Sequence, residues 1–107
     1  MAVLYIREYQ FAAAFVQGSG SQLPAGLEPG IVDQAITIGA GSNVSAQFNA
    51  KTNFVRLHCD EICSVLFGPF SSPPTATTQN ARLAANQTEF FGVNPSLGLC
   101  VAVIQNV

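Results

Sequence analysis

Charge is what this chain has least of. Four of its 107 residues are Lys or Arg and six are Asp or Glu, 9% in all, against 49% hydrophobic. A soluble domain is about 25% charged, and a folded chain of this length exposes roughly 5,700 Å² of surface. Ten charged side chains cannot coat that area, so amides, hydroxyls and apolar atoms must make up the rest. Because charge keeps dilute proteins apart, this composition suits a molecule covered by neighbours in an assembly. A monomer coated in neutral polar groups is the other way to satisfy it.

Further absences narrow the function. The four basic residues Arg7, Lys51, Arg56 and Arg82 lie far apart and the net charge is −2, which excludes a nucleic-acid binder that must neutralise several phosphates. The longest apolar runs, Phe11–Val16 and Leu99–Ile104, fall far short of the ~20 residues of a spanning helix, so no membrane role is expected. The opening Met1–Tyr9 lacks the basic and apolar regions of a signal peptide, which implies folding in the cytosol. Three cysteines, an odd number in a reducing compartment, are expected as free, buried thiols.

What the chain does have is a period of two. In Asn53–Cys59 the residues Val55, Leu57 and Cys59 share one face and Phe54, Arg56 and His58 the other, the pattern of a half-buried strand. Cys63, Val65 and Phe67 align likewise in Ile62–Phe67, and with Asp60-Glu61 as a turn the two runs predict a β-hairpin closed by Gly68-Pro69. Leu97–Val107 alternates with apolar residues on both sides and predicts a strand covered on both faces. Ala2–Tyr9, Ile31–Ile38, Val44–Phe48 and Glu89–Val93 read as further strands, the last paired with Arg82–Ala85. Only Phe11–Gln17 has the composition of a short helix. The reading is all-β: a single β-sandwich or jelly-roll-like domain over residues 1–107, with seven or eight short antiparallel strands. Residues 17–30 and 68–80 are read as loops. The second is neutral and rich in Pro and Thr, so it is either mobile or laid against a partner.

No catalytic constellation emerges. His58 and Cys59 are adjacent on a strand and so point to opposite faces, and Cys59-x-x-x-Cys63 lacks zinc-knuckle spacing and a second ligand cluster. A thiol nucleophile at Cys59 or Cys63 conflicts with the apolar alternation around them. Asp60 and Glu61 suit turn geometry and solvation, and Gly18-Ser-Gly20 lacks the Lys of a phosphate loop. No enzymatic activity, metal or cofactor is expected. Arg56 and His58 form either a solvated strand face or a contact surface, and Arg82 is a second candidate, placed to anchor the Pro-Thr loop.

One resemblance adds to this. Phe48-Asn49-Ala50, Thr52 to Gly68 with Phe54-Val55-Arg56-Leu57-His58 and Ile62-Cys63-Ser64-Val65, Pro74–Thr78, Arg82 to Val93 with Ala84-Ala85-Asn86-Gln87-Thr88-Glu89, and Val101–Ile104 with Asn106 together resemble the small virion-associated proteins of tailed bacteriophages. The likeness covers about half of the chain, with weaker agreement at Glu28-Pro29 and Ile36–Ser42. Cys59, where a small polar residue is usual, and a proline-richer Gly68–Pro74 depart from it. The resemblance implies a structural protein without catalytic residues: a capsid cement or decoration protein on the head exterior, made in the host cytoplasm. Its partners would be the major capsid protein and further copies of itself, as a dimer or trimer, with no direct contact to nucleic acid. Arg56, His58, Phe70, Pro73, Pro74 and Arg82 are the candidate interface. The alternatives are a carbohydrate- or receptor-binding sandwich using Tyr5, Tyr9, Phe70 and Phe90, or a head–tail or neck component.

Overall fold

Alternation places Leu4, Ile6 and Glu8 on one side of the first strand and Tyr5, Arg7 and Tyr9 on the other. The computed structural model, which describes residues 2–14 and 22–106, builds its architecture on that rule. The strands are β1 (Val3–Tyr9), β2 (Ala12–Ala14), β3 (Gln22–Gly26), β4 (Val32–Thr37), β5 (Asn43–Val44), β6 (Phe54–Cys59), β7 (Cys63–Pro69), β8 (Ala81–Leu83), β9 (Thr88–Gly92) and β10 (Leu99–Gln105). A 3-10 turn at Pro95–Leu97 starts from Asn94, whose side chain accepts from the Ser96 amide, and ends at Gly98 with a left-handed φ of 58°.

Two antiparallel four-stranded sheets, β4-β1-β6-β9 and β5-β10-β7-β8, pack together as a sandwich, and β2 and β3 form a separate two-stranded ribbon. Counting β4 as first and β1 as eighth, one sheet reads first–eighth–third–sixth and the other second–seventh–fourth–fifth. That is the strand order of a jelly roll in circularly permuted form, since β1 comes first along the chain. The all-β expectation holds. Leu4, Ile6, Val55, Leu57 and Cys59 from one sheet meet Cys63, Val65, Leu83, Val101 and Val103 from the other in the core.

The pairing differs from expectation in one instructive way. β6 and β7 are not a hairpin: β6 pairs with β1 and β9, and β7 with β10 and β8. Asp60–Glu61 carries the chain from one sheet to the other. The apolar faces of the two strands therefore oppose each other across the core, which buries them more completely than lying side by side would. For the same reason Arg82 and Glu89 do not share a hairpin, since β8 and β9 belong to different sheets.

Smaller corrections follow from local geometry. Ala12–Ala14 is strand, not helix, because it pairs with Gln22–Gly26, which removes residues 22–26 from the expected loop. Residues 15–21 lie outside the described residues. β7 runs on through Gly68 and Pro69. Beyond Val44 the expected strand ends, and the buried residues are Ser45 and Phe48. The thiols of Cys59, Cys63 and Cys100 are free and buried.

The Pro-Thr loop is folded onto its own sheet. Gly68 lies under the Pro74 ring, so closely that a Cβ there would sit 3.1 Å from it. Ala76 is buried, and its amide donates to Ser42 Oγ at 2.9 Å. Asn106 Nδ2 donates both to Ser64 Oγ and to the Thr78 carbonyl. Beneath this cover Ser64, Cys100 and Ala102 are fully buried although they point away from the core, so β10 is covered on both faces as its sequence predicts.

One flank of the sandwich is closed by polar side chains. Glu8, with no solvent exposure, accepts from the Asn49 amide at 2.7 Å, Thr52 Oγ1 at 2.7 Å and Gln34 Nε2 at 3.0 Å. Gln34 also accepts from the Ala46 amide through Oε1, which ties β4 of one sheet to the segment after β5 of the other. Glu8→Ala takes the acceptor from one buried donor, Thr52 Oγ1, and two part-buried ones, the Asn49 amide and Gln34 Nε2, at about 1–3 kcal/mol for a fully buried donor. The expected outcome is a loss of about 3 kcal/mol or more of unfolding free energy in urea titration. A loss below about 1 kcal/mol would contradict this role.

Candidate functional site

The outer face of the β4-β1-β6-β9 sheet gathers the polar and aromatic side chains that the core rejects. Register fixes the grid. Tyr5 lies between Ala35 and His58, with Thr88 beyond; Arg7 lies between Asp33 and Arg56, with Phe90 beyond; Tyr9 lies beside Phe54, with Gly92 beyond. A shallow depression of about 340 Å³ opens here, lined by Tyr5, Ile6, Arg7, Asp33, Gln34, Arg56 and His58.

Its floor has one neutralised cation, Arg7, and a second, Arg56, without an ion pair among the described residues. Arg7 grips Asp33 with two parallel bonds, Nε to Oδ1 at 2.7 Å and Nη2 to Oδ2 at 2.9 Å, and donates from Nη1 to Glu28 Oε1 at 2.8 Å. Among the described residues Arg56 has no ion pair, although Arg7 stands directly opposite it. Like charges placed so repel, and the two acids on Arg7 relieve that repulsion. His58 Nδ1 is 2.7 Å from Thr88 Oγ1, and its ring leans toward Tyr5 at 6.4 Å between centroids. Tyr5 is 49% exposed.

Next to the depression lies an aromatic cluster. Tyr9 stacks on Phe54 at 5.2 Å and 17°, and Phe90 tilts against both rings at 6.3 and 5.9 Å. Tyr9 points outward yet is only 1% exposed, because Gly26 of the ribbon lies on its ring and a Cβ there would overlap it. Its hydroxyl donates to Glu28 Oε2 at 2.6 Å. Glu28 thus joins the base of the ribbon to the sheet.

Ionisation follows these contacts. The Tyr9 hydrogen bond, the Gly30 amide and the Arg7 guanidinium hold Glu28 below the usual carboxylate range. Arg7 does the same for Asp33, chiefly through its hydrogen bonds. Burial, then the Glu28 bond, raises the Tyr9 hydroxyl. Burial and the neighbouring Cys59 push the Cys63 thiol up to about 12, so it stays protonated and a poor nucleophile. Cys59 donates to the Ala84 carbonyl at 3.0 Å while His58 points to the other face. Among the described residues no three His, Cys, Asp or Glu side chains gather as for a metal ion.

The six candidate interface residues separate. Arg56 and His58 share the depression. Phe70 sits at one end of the other sheet, 41% exposed, with its amide on the Gly98 carbonyl. Pro73 is exposed, whereas Pro74 is half-buried against Gly68. Arg82 lies opposite Ser64 on edge strand β8, and its side chain makes no hydrogen bond among the described residues; Ser42, Asn80 and Asn106 hold the loop instead. Sequence reasoning missed Arg7 and Asp33. The alternation Tyr5–Arg7–Tyr9 was the available signal, but the partner 26 residues away was not. Chemically the face offers an open guanidinium fork, an imidazole and a phenol ring, which suits a planar acidic or hydroxyl-rich group.

No family model matches the chain, and no curated protein or solved structure is significantly similar to it.

The acid network makes a pH prediction. Carboxyls lowered in the folded state leave the unfolded chain to bind protons first, so their stabilisation is complete above about pH 4.5, the ordinary Glu value, and fades as pH falls through the folded-state pKa values. The melting temperature of the native chain should therefore fall more steeply below pH 4.5 than that of Arg7→Met. Parallel slopes in calorimetry would contradict the network's role.

Proposed function

We propose that this is a structural protein of a phage virion, a cement or decoration protein whose neutral side lies on neighbouring major capsid protein subunits. One observation carries the reading. Residues 38–50, 62–81 and 90–107 contain no charged residue, and these stretches supply β5, β7, β10 and the 70–80 loop. Arg82 on β8 is the one charge on that sheet. Such a surface loses little hydration when covered, since burying ions is what costs most. Phe70 and Leu97, at 41% and 58% exposure, add apolar anchors there.

The mechanism is mechanical. Specific interfaces bury about 1,200–2,000 Å² shared between two partners, so contacts to two capsid subunits would take a substantial part of this chain's 5977 Å². Each contact adds surface that must be re-exposed before the shell opens, and repetition by symmetry adds avidity. The resemblance to small virion-associated phage proteins points the same way.

Binding of a host glycan is the second reading, favoured by exposed Tyr5 beside Arg56, His58 and Asp33. Aromatic rings with planar polar neighbours suit sugars.

Expanded capsids lacking the protein distinguish the two. Under the cement reading the purified protein co-sediments saturably and raises the temperature at which shells release their contents. Failure to bind shells, with retention on a glycan array that Tyr5→Ala abolishes, would replace it with the second reading.

A further inference from the structure

The two flanks of the sandwich are finished differently. On the β4/β5 side, Gln34 bridges to Ala46 and Asn43 Nδ2 caps the Thr37 carbonyl at 2.8 Å. On the β8/β9 side the crossings sit at one end of the strands: the Ala84 amide donates to Gln87 Oε1, Gln87 Nε2 to Glu89 Oε2 and Cys59 Sγ to the Ala84 carbonyl, and among the described residues no side chain caps the outward backbone of β9. Among the edges, β5 and β8 are two and three residues long and β4, with six, is held by the Gln34 and Asn43 contacts; β9 has five, Thr88-Glu-Phe-Phe-Gly92, in unbroken register with β6. It has no Lys, Pro or bulge, the usual guards of an edge, and Glu89 is its one charge.

The hydrogen-bond pattern shows which groups face outward. At the two ends of the β6–β9 ladder, Val93 donates to Asn53 and Cys59 donates to Gln87. Bonded pairs alternate in an antiparallel ladder, so Phe91 and Glu89 carry the remaining bonds to β6. The N–H and C=O of Thr88, Phe90 and Gly92 therefore point away from it, into the open edge.

We infer that β9 pairs with β9 of a second copy, antiparallel about a two-fold axis through Phe90, to form a continuous eight-stranded sheet. The choice of a second copy rests on self-complementarity. With Phe90 opposite Phe90 of the second copy, Thr88 meets Gly92 and all three outward-facing residues of each strand bond, giving six N–H···O bonds. A shift of two residues either way leaves four, and one of those shifts sets Glu89 opposite Glu89. Odd shifts would join an outer face to an inner one. In the centred register Glu89 faces Phe91, with the two Glu89 positions on a diagonal about 7–8 Å apart along the backbone. Phe90, 37% exposed and already packed on Phe54 and Tyr9, extends its aromatic cluster across the axis. One edge pair is small beside a standard interface, so the expected dissociation constant is about 1–100 μM.

This deepens the assembly reading by naming one partner surface, yet it stands or falls separately. Sedimentation velocity across about 1–500 μM tests it, with circular dichroism to confirm folding. The full chain should pass from monomer to dimer. Gly92→Pro removes an amide without a partner among the described residues, in a place where a Cβ meets open space; it should stay folded and dimerise at least about tenfold more weakly. Glu89→Gln should tighten the dimer by removing the diagonal repulsion. A chain monomeric throughout, or a dimer indifferent to Gly92→Pro, overturns the inference. If monomers still coat capsids, the cement reading survives that loss. If Gly92→Pro instead blocks pairing with a different chain, the edge belongs to that partner and self-pairing is overturned.

Discussion

Much of the molecule depends on one buried carboxylate. Glu8 takes three donors from β4, from the turn after Phe48 and from Thr52, and these are the elements that cross between the sheets on one flank. Its polarity could be housed inside only because each neighbour is aimed at it; unpaired, it would cost more than the contacts around it return. The arrangement specifies the β4/β5 side in a way apolar packing cannot, since an apolar contact tolerates sliding and a three-donor network does not. On the opposite side no buried carboxylate gathers donors among the described residues; there Gln87 links the Ala84 amide to Glu89 at the surface and Cys59 Sγ donates to the Ala84 carbonyl.

Scarce charge is used sparingly. Glu8 is interior, and Arg7, Glu28 and Asp33 are joined in one network that fixes the base of the ribbon. Lys51, Arg56, Asp60, Glu61, Arg82 and Glu89 are left to mark the exterior. Five of the six belong to the sheet with the depression or to loops at the ends of the sandwich, and one to the other sheet. The two faces thus differ in what they can meet: one carries a guanidinium fork among aromatic rings, and the other a neutral skin of Pro, Thr, Ser and Asn.

The strands were legible and their partners were not. Alternation located β6, β7 and β10 and showed which side of each was buried, because the period of two acts within one strand. It cannot say whether two such strands lie side by side or face to face, and β6 and β7 have the same pattern under either arrangement. The Asp60–Glu61 corner serves both. The Pro-Thr loop looked free because it lacks apolar periodicity, yet it is held by single contacts, Pro74 on Gly68 and Ala76 on Ser42, that leave no pattern. Ala12–Ala14 misled because alanine favours helix in isolation and pairing with β3 overrode it. Arg56 and His58 were legible as one face; Arg7 and Asp33 joined them only through register between distant segments.

The central claim is that one flank is fastened by buried polar groups while the other presents an open edge. Amide hydrogen exchange in dilute solution, resolved by residue, tests it most directly. The account predicts that the Asn49 and Ala46 amides, bonded to Glu8 and Gln34, exchange only through global unfolding, while those of Thr88, Phe90 and Gly92 exchange orders of magnitude faster. Comparable rates at the two flanks would contradict it.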